Sequence, residues 1–331
     1  MSLYRPLVLC SVVLTFLVIV VGAYVRLEDA GLGCPDWPGC YGQLIGVPDE
    51  AHDVAKAEQA FPGKTVDAGR AWKEMFHRYL AGTLGLLVLA IAAIAWRMRE
   101  TGRTPWLATL LVAVVAFQAT LGMWTVTMLL KPAIVTLHLL GGMTTLAVLM
   151  WLALREINPQ PAPAAIARGF RPWAAAGLAV LAVQIALGGW VSANYAALAC
   201  TDFPSCHGQW LPGMDFANAF HAVRELGVTA AGAPLSQEAL NAIQWSHRAG
   251  ALVTLAFLGA LALCALRIPS LRTAGAVLIV LLAAQAGLGI ANVLLRVPLA
   301  LAAAHNAGAA LLLAALVVLN FTVFRRAIRQ D

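Results

Sequence analysis

Of the seven histidines in this 331-residue sequence, four stand inside long apolar stretches: His77, His138, His247 and His305. Imidazole is both a metal ligand and a proton carrier near neutral pH. Inside hydrocarbon it is costly, so an intramembrane histidine faces a bundle interior and has a partner there. Glu74 lies three residues before His77, a spacing that puts both on one face of a helix. Two cysteine pairs with five residues between their members, Cys34 with Cys40 and Cys200 with Cys206, add redox-capable groups. His52 and His221 lie in polar segments and read as solvated, and His207 occupies the repeat position of Tyr41, so none of these three is assigned a role.

The elements that position these groups follow from composition. The chain is 61% hydrophobic and 11% charged, whereas soluble domains run near 25% charged. Stretches of about 20 apolar residues, enough to cross roughly 30 Å of hydrocarbon, occur near 6–27, 72–96, 105–129, 133–154, 173–194, 242–266, 272–294 and 299–324. The first is too long for a signal-peptide core and lacks a small-residue cleavage site, so it reads as a span. An all-α membrane protein with eight transmembrane helices is therefore expected. The net charge of +6 does not point to nucleic acid, because the basic residues gather at span ends. Arg5, Arg97, Arg99, Arg103, Arg155, Arg168, Arg171, Arg267, Arg272, Arg325, Arg326 and Arg329 fall on one side. Lys131 and Arg296 are the basic residues of the short loops opposite. The positive-inside rule then puts both termini in the cytoplasm and the long loops 28–71 and 195–240 outside.

The chain repeats itself. GAYVRLEDAGLGCPDWPGCYGQ at 22–43 matches GGWVSANYAALACTDFPSCHGQ at 188–209, FHR at 76–78 answers SHR at 246–248, and QATLG at 118–122 answers QAGLG at 285–289. His138 answers His305. Four spans return a chain to its starting side, so the expectation is two tandem pseudo-symmetric four-helix bundles in one orientation, related by an axis along the membrane normal. They cover 1–157 and 173–331, with the Pro/Ala-rich stretch 158–172 as a cytoplasmic linker.

The four histidines then fall in spans two, four, six and eight, each five to seven residues past the span start, roughly 8–10 Å deep at 1.5 Å per residue. Zinc would want further ligands at tetrahedral spacing. Two imidazoles on facing helices suit the axial positions of a six-coordinate haem, and a four-helix unit has room for a flat macrocycle. Two haem sites, one per half, is the economical reading; four hydrogen-bonded core histidines is the plainer one. Gly82, Gly85, Gly122, Gly141, Gly142, Gly250, Gly289 and Gly308 allow close approach of helices or porphyrin. Arg78 and Arg248, beside two of the histidines, can reach propionates or snorkel to headgroups. The cysteine spacing permits a small looped disulfide in each outer loop, as a staple or as a redox centre. Cys10 and Cys264, inside spans, read as small core residues.

The halves differ where an enzyme with one catalytic site would need them to. Glu74 faces the uncharged Gln244 in the repeat, Glu28 faces Asn194, and Arg26 faces Ser192. A carboxylate beside one metal centre and an amide at the other suggests chemistry in the first half only, with Glu74 as proton acceptor or as stabiliser of a developing cation. Glu28 and Arg26 are secondary candidates.

This ordered set resembles the haem A synthase family, cysteine-containing bacterial type: eight spans in two halves, ExxHR at 74–78, HR at 247–248, His138, His305 and the paired-cysteine loops. The resemblance covers nearly the whole chain. It implies that His247 and His305 ligate a haem b cofactor while His77 and His138 hold the substrate haem O. It further implies that the C8 methyl of haem O is oxidised by successive hydroxylations to a formyl group, giving haem A for terminal oxidases, with Glu74 as the essential carboxylate. Contacts with a haem O synthase, oxidase assembly factors and an electron acceptor, and a bacterial inner-membrane location, go with that reading; self-association is left open. The rivals are a diheme b-type electron-transfer protein, which would want histidines at both depths, and a membrane thiol oxidoreductase, which would favour a tighter cysteine spacing. A transporter built on the repeat leaves the histidines unexplained.

Overall fold

The computed structural model describes residues 3–101 and 104–325; Arg103, Arg326 and Arg329 of the orientation argument lie outside the described residues. Ten α-helices follow one another: α1 (Tyr4–Leu27), α2 (Ala51–Ala60), α3 (Ala68–Arg97), α4 (Trp106–Thr127), α5 (Pro132–Ile157), α6 (Ala164–Ala193), α7 (Phe216–Ala219), α8 (Gln237–Leu266), α9 (Arg272–Leu294) and α10 (Leu299–Phe324). All but α2 and α7 are long and apolar enough to cross a membrane, which gives eight spans among the described residues and makes the chain a multi-pass membrane protein. A hydrocarbon solvent leaves no other option for these stretches, because a helix satisfies its backbone polar groups internally.

Two spans start earlier than the hydropathy pattern indicates. Asp67 accepts a hydrogen bond from Arg70 N at 3.0 Å, and Ser236 accepts one from Ala239 N at 3.2 Å. These side chains cap α3 and α8, and extend them past the apolar run. His77 and His247 are therefore the tenth and eleventh residues of their helices, while His138 and His305 are each the seventh. The expected linker 158–172 is also largely helical: α6 begins at Ala164 and carries Pro172 inside it. Ala167 and Phe170 are buried there, and Arg171 Nε donates to Val323 O at 2.8 Å, so docking on α10 supplies what propensity lacks.

Within the first half α1 packs on α3 and α5, and α4 on α3 and α5; in the second α6 packs on α8 and α10, and α9 on α8 and α10. The halves meet through α1, α5, α6 and α10. Residues separated by the repeat offset touch at both ends of this seam. Arg26 Nη2 donates to Ser192 O at 2.8 Å and Tyr195 Oη to Asp29 Oδ1 at 2.8 Å. At the other end Arg325 Nη1 donates to Pro159 O at 2.7 Å. The core is densest towards this second end, where Leu312, Leu316, Leu319 and Phe321 of α10 are buried among Leu258, Leu261 and Leu278. From 301 to 309, around His305, every residue is only half-buried.

Among the glycines of the spanning helices, backbones approach most closely where α9 crosses α8. A Cβ at Gly275 would lie 2.7 Å from Ala262 O and 2.8 Å from Leu266 N. Gly275→Val is expected to cost about 1–3 kcal/mol through overpacking, read as a lowered thermal unfolding midpoint of the detergent-solubilised protein. An unchanged midpoint would mean that the crossing is looser than described.

Candidate functional site

Each of the four histidine rings is seated against a glycine of a neighbouring helix. A Cβ would fall 2.8 Å from His77 Cε1 at Gly22, 3.3 Å from His138 Cε1 at Gly122, 3.1 Å from His247 Cε1 at Gly188 and 3.2 Å from His305 Cε1 at Gly289. Helix pairs α1–α3, α4–α5, α6–α8 and α9–α10 thus each hold one imidazole. In the second half the rings of His247 and His305 face each other with centroids 6.5 Å apart and planes at 87°. Two imidazoles on opposite sides of one metal ion, each bound at about 2 Å, stand at this separation. In the first half His77 and His138 occupy the repeat positions of these two histidines. Nδ1 of His77, His138 and His305 is buried and without a hydrogen-bond partner among the described residues, so the protein alone leaves these rings incompletely satisfied. No group of three His, Cys, Asp or Glu side chains among the described residues could hold a metal ion; the arrangement is one of histidine pairs.

A glutamine braces three of the four. Gln118 Nε2 donates to His138 O at 2.8 Å, Gln184 Nε2 to His247 O at 3.1 Å and Gln285 Nε2 to His305 O at 3.0 Å. Gly141, Gly250 and Gly308, each three residues after its histidine, leave room for these amides.

Glu74 is 5% exposed. Its Oε2 accepts from Cys34 N at 3.0 Å, and its Oε1 pairs with Arg78 Nη2 at 2.5 Å. Arg78 Nη1 in turn donates to Asp36 O at 2.9 Å and to Gly39 O. The carboxylate, one helical turn from His77, is thereby tied to the first cysteine loop. In the second half Gln244 Nε2 donates to Ala197 O at 3.2 Å, and its Oε1 has no partner. Arg248 donates to Ser205 O at 2.7 Å and Cys200 O at 2.9 Å, with Nε buried and unpartnered. Arg78 Nη1 and both terminal nitrogens of Arg248 thus go to loop carbonyls, and Arg78 Nη2 goes to Glu74.

Cys34–Cys40 and Cys200–Cys206 are disulfides, with Cα atoms 4.8 Å apart in each. All four cysteines are at most 2% exposed, which favours a staple over a reactive centre. The expectation for the other two cysteines fails: Cys10 and Cys264 are free and exposed on the bundle surface, because a small side chain facing lipid carries no penalty. Arg26 lies against Tyr195, 3.9 Å from its ring centroid, and Glu28 pairs with Lys73 at 2.5 Å. These two secondary candidates tie α1 to the second half and to α3. Gly82 has nothing within 4 Å of an added Cβ, and Gly85 has only Val115 at 3.9 Å, so neither marks a close approach.

The sequence profile of the COX15-CtaA family, described as Cytochrome oxidase assembly protein, matches residues 5–317. The chain belongs to the COX15-CtaA family. Among curated relatives, the Heme A synthase of Shewanella oneidensis is 43% identical over 324 residues, covering 96% of this chain and 95% of that protein. The Heme A synthase of Caulobacter sp. strain K31 is 30% identical over 324 residues, covering 91% and 90%. A third, from Halalkalibacterium halodurans, is 30% identical over 215 residues, covering 62% and 66%.

For this member of the COX15-CtaA family the sequence repeat contained more of the site than its ligand types revealed. Gln118 and Gln285 open the repeated QATLG and QAGLG segments, and Gly122 and Gly289 close them; their recurrence was legible, their contacts were not. Gly22 and Gly188 likewise begin the long repeat. Gln184 has no repeat partner and gave no signal. Arg224, 3% exposed, was also missed. It donates to Asn194 Oδ1 at 2.5 Å, and burial pushes its pKa below the ordinary arginine value.

Asp36 and Asp202 organise the two cysteine loops alike. Asp36 accepts from Tyr41 N at 2.6 Å and Gly42 N at 2.8 Å, Asp202 from His207 N at 2.6 Å and Gly208 N at 2.9 Å. Gly42 and Gly208, at φ +78° and +72°, take the left-handed conformation that a Cβ disfavours. Hydrogen bonds from the Ser205 hydroxyl, then from Gly208 N and His207 N, hold the Asp202 carboxyl well below the usual carboxylate range. A depressed folded-state pKa contributes stability that is present above the unfolded value of about 4 and lost as pH falls through the folded value. Asp202→Asn is expected to speed exchange of the Gly208 amide about 10-fold at neutral pH and to remove the acid-side loosening of this loop. Amide exchange measured against pH checks both; wild-type exchange in the variant would show that the backbone holds the loop unaided.

Proposed function

We propose that this chain performs the reaction of a haem A synthase, oxidising the C8 methyl of haem O to a formyl group to give haem A for terminal oxidases. The observation that carries it is the facing pair His247 and His305, with His77 and His138 as its repeat counterparts, combined with one buried carboxylate, Glu74, whose counterpart is the amide Gln244. The identity to curated Heme A synthases over nearly the full chain supports the same reading.

On this reading His247 and His305 hold a resident haem b, and His77 and His138 hold the substrate. The haem iron supplies the redox capability when bound; the residues of the chain ligate, orient and handle protons. Converting a methyl to a formyl group adds one oxygen atom from water and releases four protons and four electrons, the electrons passing to an acceptor outside the chain. Glu74, one helical turn from His77, is the group placed to accept protons. Arg78 neutralises it and, through the carbonyls of Asp36 and Gly39, couples its position to the disulfide loop. Arg248 Nε, buried and unpartnered, is the donor left for a haem propionate.

Contacts between residues one repeat apart at both ends of the seam support a pseudo-two-fold axis running along the helices. It divides the chain into a substrate half, 1–157, and a cofactor half, 173–331. The positive-inside pattern supports termini in the cytoplasm and cysteine loops outside a bacterial inner membrane.

The test is extraction and chromatography of haems from the purified protein co-produced with a haem O supply. Wild type is expected to yield haem b with haem O or haem A. Glu74→Gln should keep haem b and lose haem A, and His247→Ala or His305→Ala should lose the resident haem b. Haem A production by Glu74→Gln would refute the role of Glu74, and haem b alone at two per chain would favour an electron-transfer protein.

A further inference from the structure

The amide braces are distributed unequally, and the inequality tracks the proposed division of labour. After the ring of His247, the structure places Gln184 Nε2 3.1 Å from Nδ1 as well as 3.1 Å from the backbone carbonyl. The repeat position of Gln184 in α1 is Val18, and that of Gly250, which makes room for the amide, is Leu80. A Cβ at Gly250 would lie 2.8 Å from Leu187 Cδ1 and 3.6 Å from Gln184 Cδ, so the glycine and the glutamine are one device. His77 has neither: its Nδ1 is buried without a partner, and no glutamine reaches its carbonyl among the described residues. His138 and His305 sit between these extremes, each with a carbonyl brace from α4 or α9; Gln285 Nε2 also lies 3.5 Å from His305 Nε2, and not at its Nδ1.

We propose that Gln184 is a positioning residue that fixes His247 as a permanent ligand, and that its replacement by Val18 and Leu80 in the first half makes His77 the exchangeable one. This rests on the ligand assignment made above. A ring that gives Nε2 to a metal carries its proton on Nδ1, and the partner of Nδ1 sets ring orientation and basicity. Gln184 Oε1, buried and without a partner among the described residues, belongs to the same amide and can accept that proton when the amide turns, an orientation that gives up the bond from Nε2 to His247 O. A more basic imidazole favours the oxidised metal, and an oriented one resists dissociation. The half that must retain its group thus has the device, and the half that must load substrate and release product lacks it.

The experiment is a redox titration of the second-half haem in the full-length haem-loaded protein, together with its rate of loss to a haem-scavenging apoprotein. Gln184→Val should raise the midpoint potential and speed haem loss about 10-fold, and Gln184→Glu, a stronger acceptor, should move the potential the other way. Opposite shifts distinguish positioning of the ligand from packing, which both substitutions would disturb alike. Gly250→Leu, which displaces the amide without touching it chemically, should reproduce the Val variant. Transplanting the device with Val18→Gln and Leu80→Gly should slow haem loss from the first half. If the Val and Glu variants keep the wild-type potential and loss rate while His247→Ala strips the haem, the inference fails and the ligand assignment stands. If His247→Ala keeps its haem, the assignment itself fails and the inference with it.

Discussion

The constraint on which this molecule depends is that an imidazole must be buried in a bilayer-spanning bundle yet keep a ring nitrogen free for another partner. Burial alone would drive the ring to find a hydrogen bond. The fold meets the constraint by seating each ring edge on a bare stretch of helix: Gly22, Gly122, Gly188 and Gly289. These seats require α1 against α3, α4 against α5, α6 against α8 and α9 against α10, which are the pairings observed within the two halves. Helix order and site geometry are therefore one problem with one solution, applied four times.

A second layer of control comes from outside the bundle. The cysteine loops are more than lids, because Glu74 accepts a hydrogen bond from Cys34 N and Arg78 bridges Glu74 to the loop carbonyls. The disulfide shortens the loop, Asp36 holds its tip, and the guanidinium joins it to α3. The second loop copies everything except the carboxylate: Asp202 and Arg248 keep their roles, and Gln244 turns to Ala197 O. The first outer loop is also ordered by its own small core, since α2 and the segment after it pack Ala57, Phe61 and Val66 around Tyr41. Charge and polarity around the two histidine pairs thus diverge within a shared backbone.

The spans were legible because hydropathy acts on about 20 residues at once, and the repeat was legible because ligands, loops and spacers recur together. Span ends at Ala68 and Gln237 were not, because single capping residues, Asp67 and Ser236, set them. Nor was the helical state of 164–172, which depends on contact with α10. Among site residues, histidine, glutamate and cysteine announce chemistry by type. Glutamine and glycine do not, and Gln184 acquires meaning only when the carbonyl and ring of His247 are seen beside it. The charges of Arg78 and Arg248 announce an anion, whereas the loop carbonyls that also receive them become visible only in the folded chain.

The seam between the halves has a consequence for ancestry. Where residues one repeat apart touch, a perfectly duplicated protein would confront each residue with its own copy. Two first halves would set Arg26 against a second Arg26 and Asp29 against a second Asp29, whereas this chain has Ser192 and Tyr195 there, each completing a hydrogen bond. Fusion into one polypeptide frees such positions to become complementary rather than identical. At these positions a second copy of the first half would bring two guanidiniums and two carboxylates together, where this chain has hydrogen bonds.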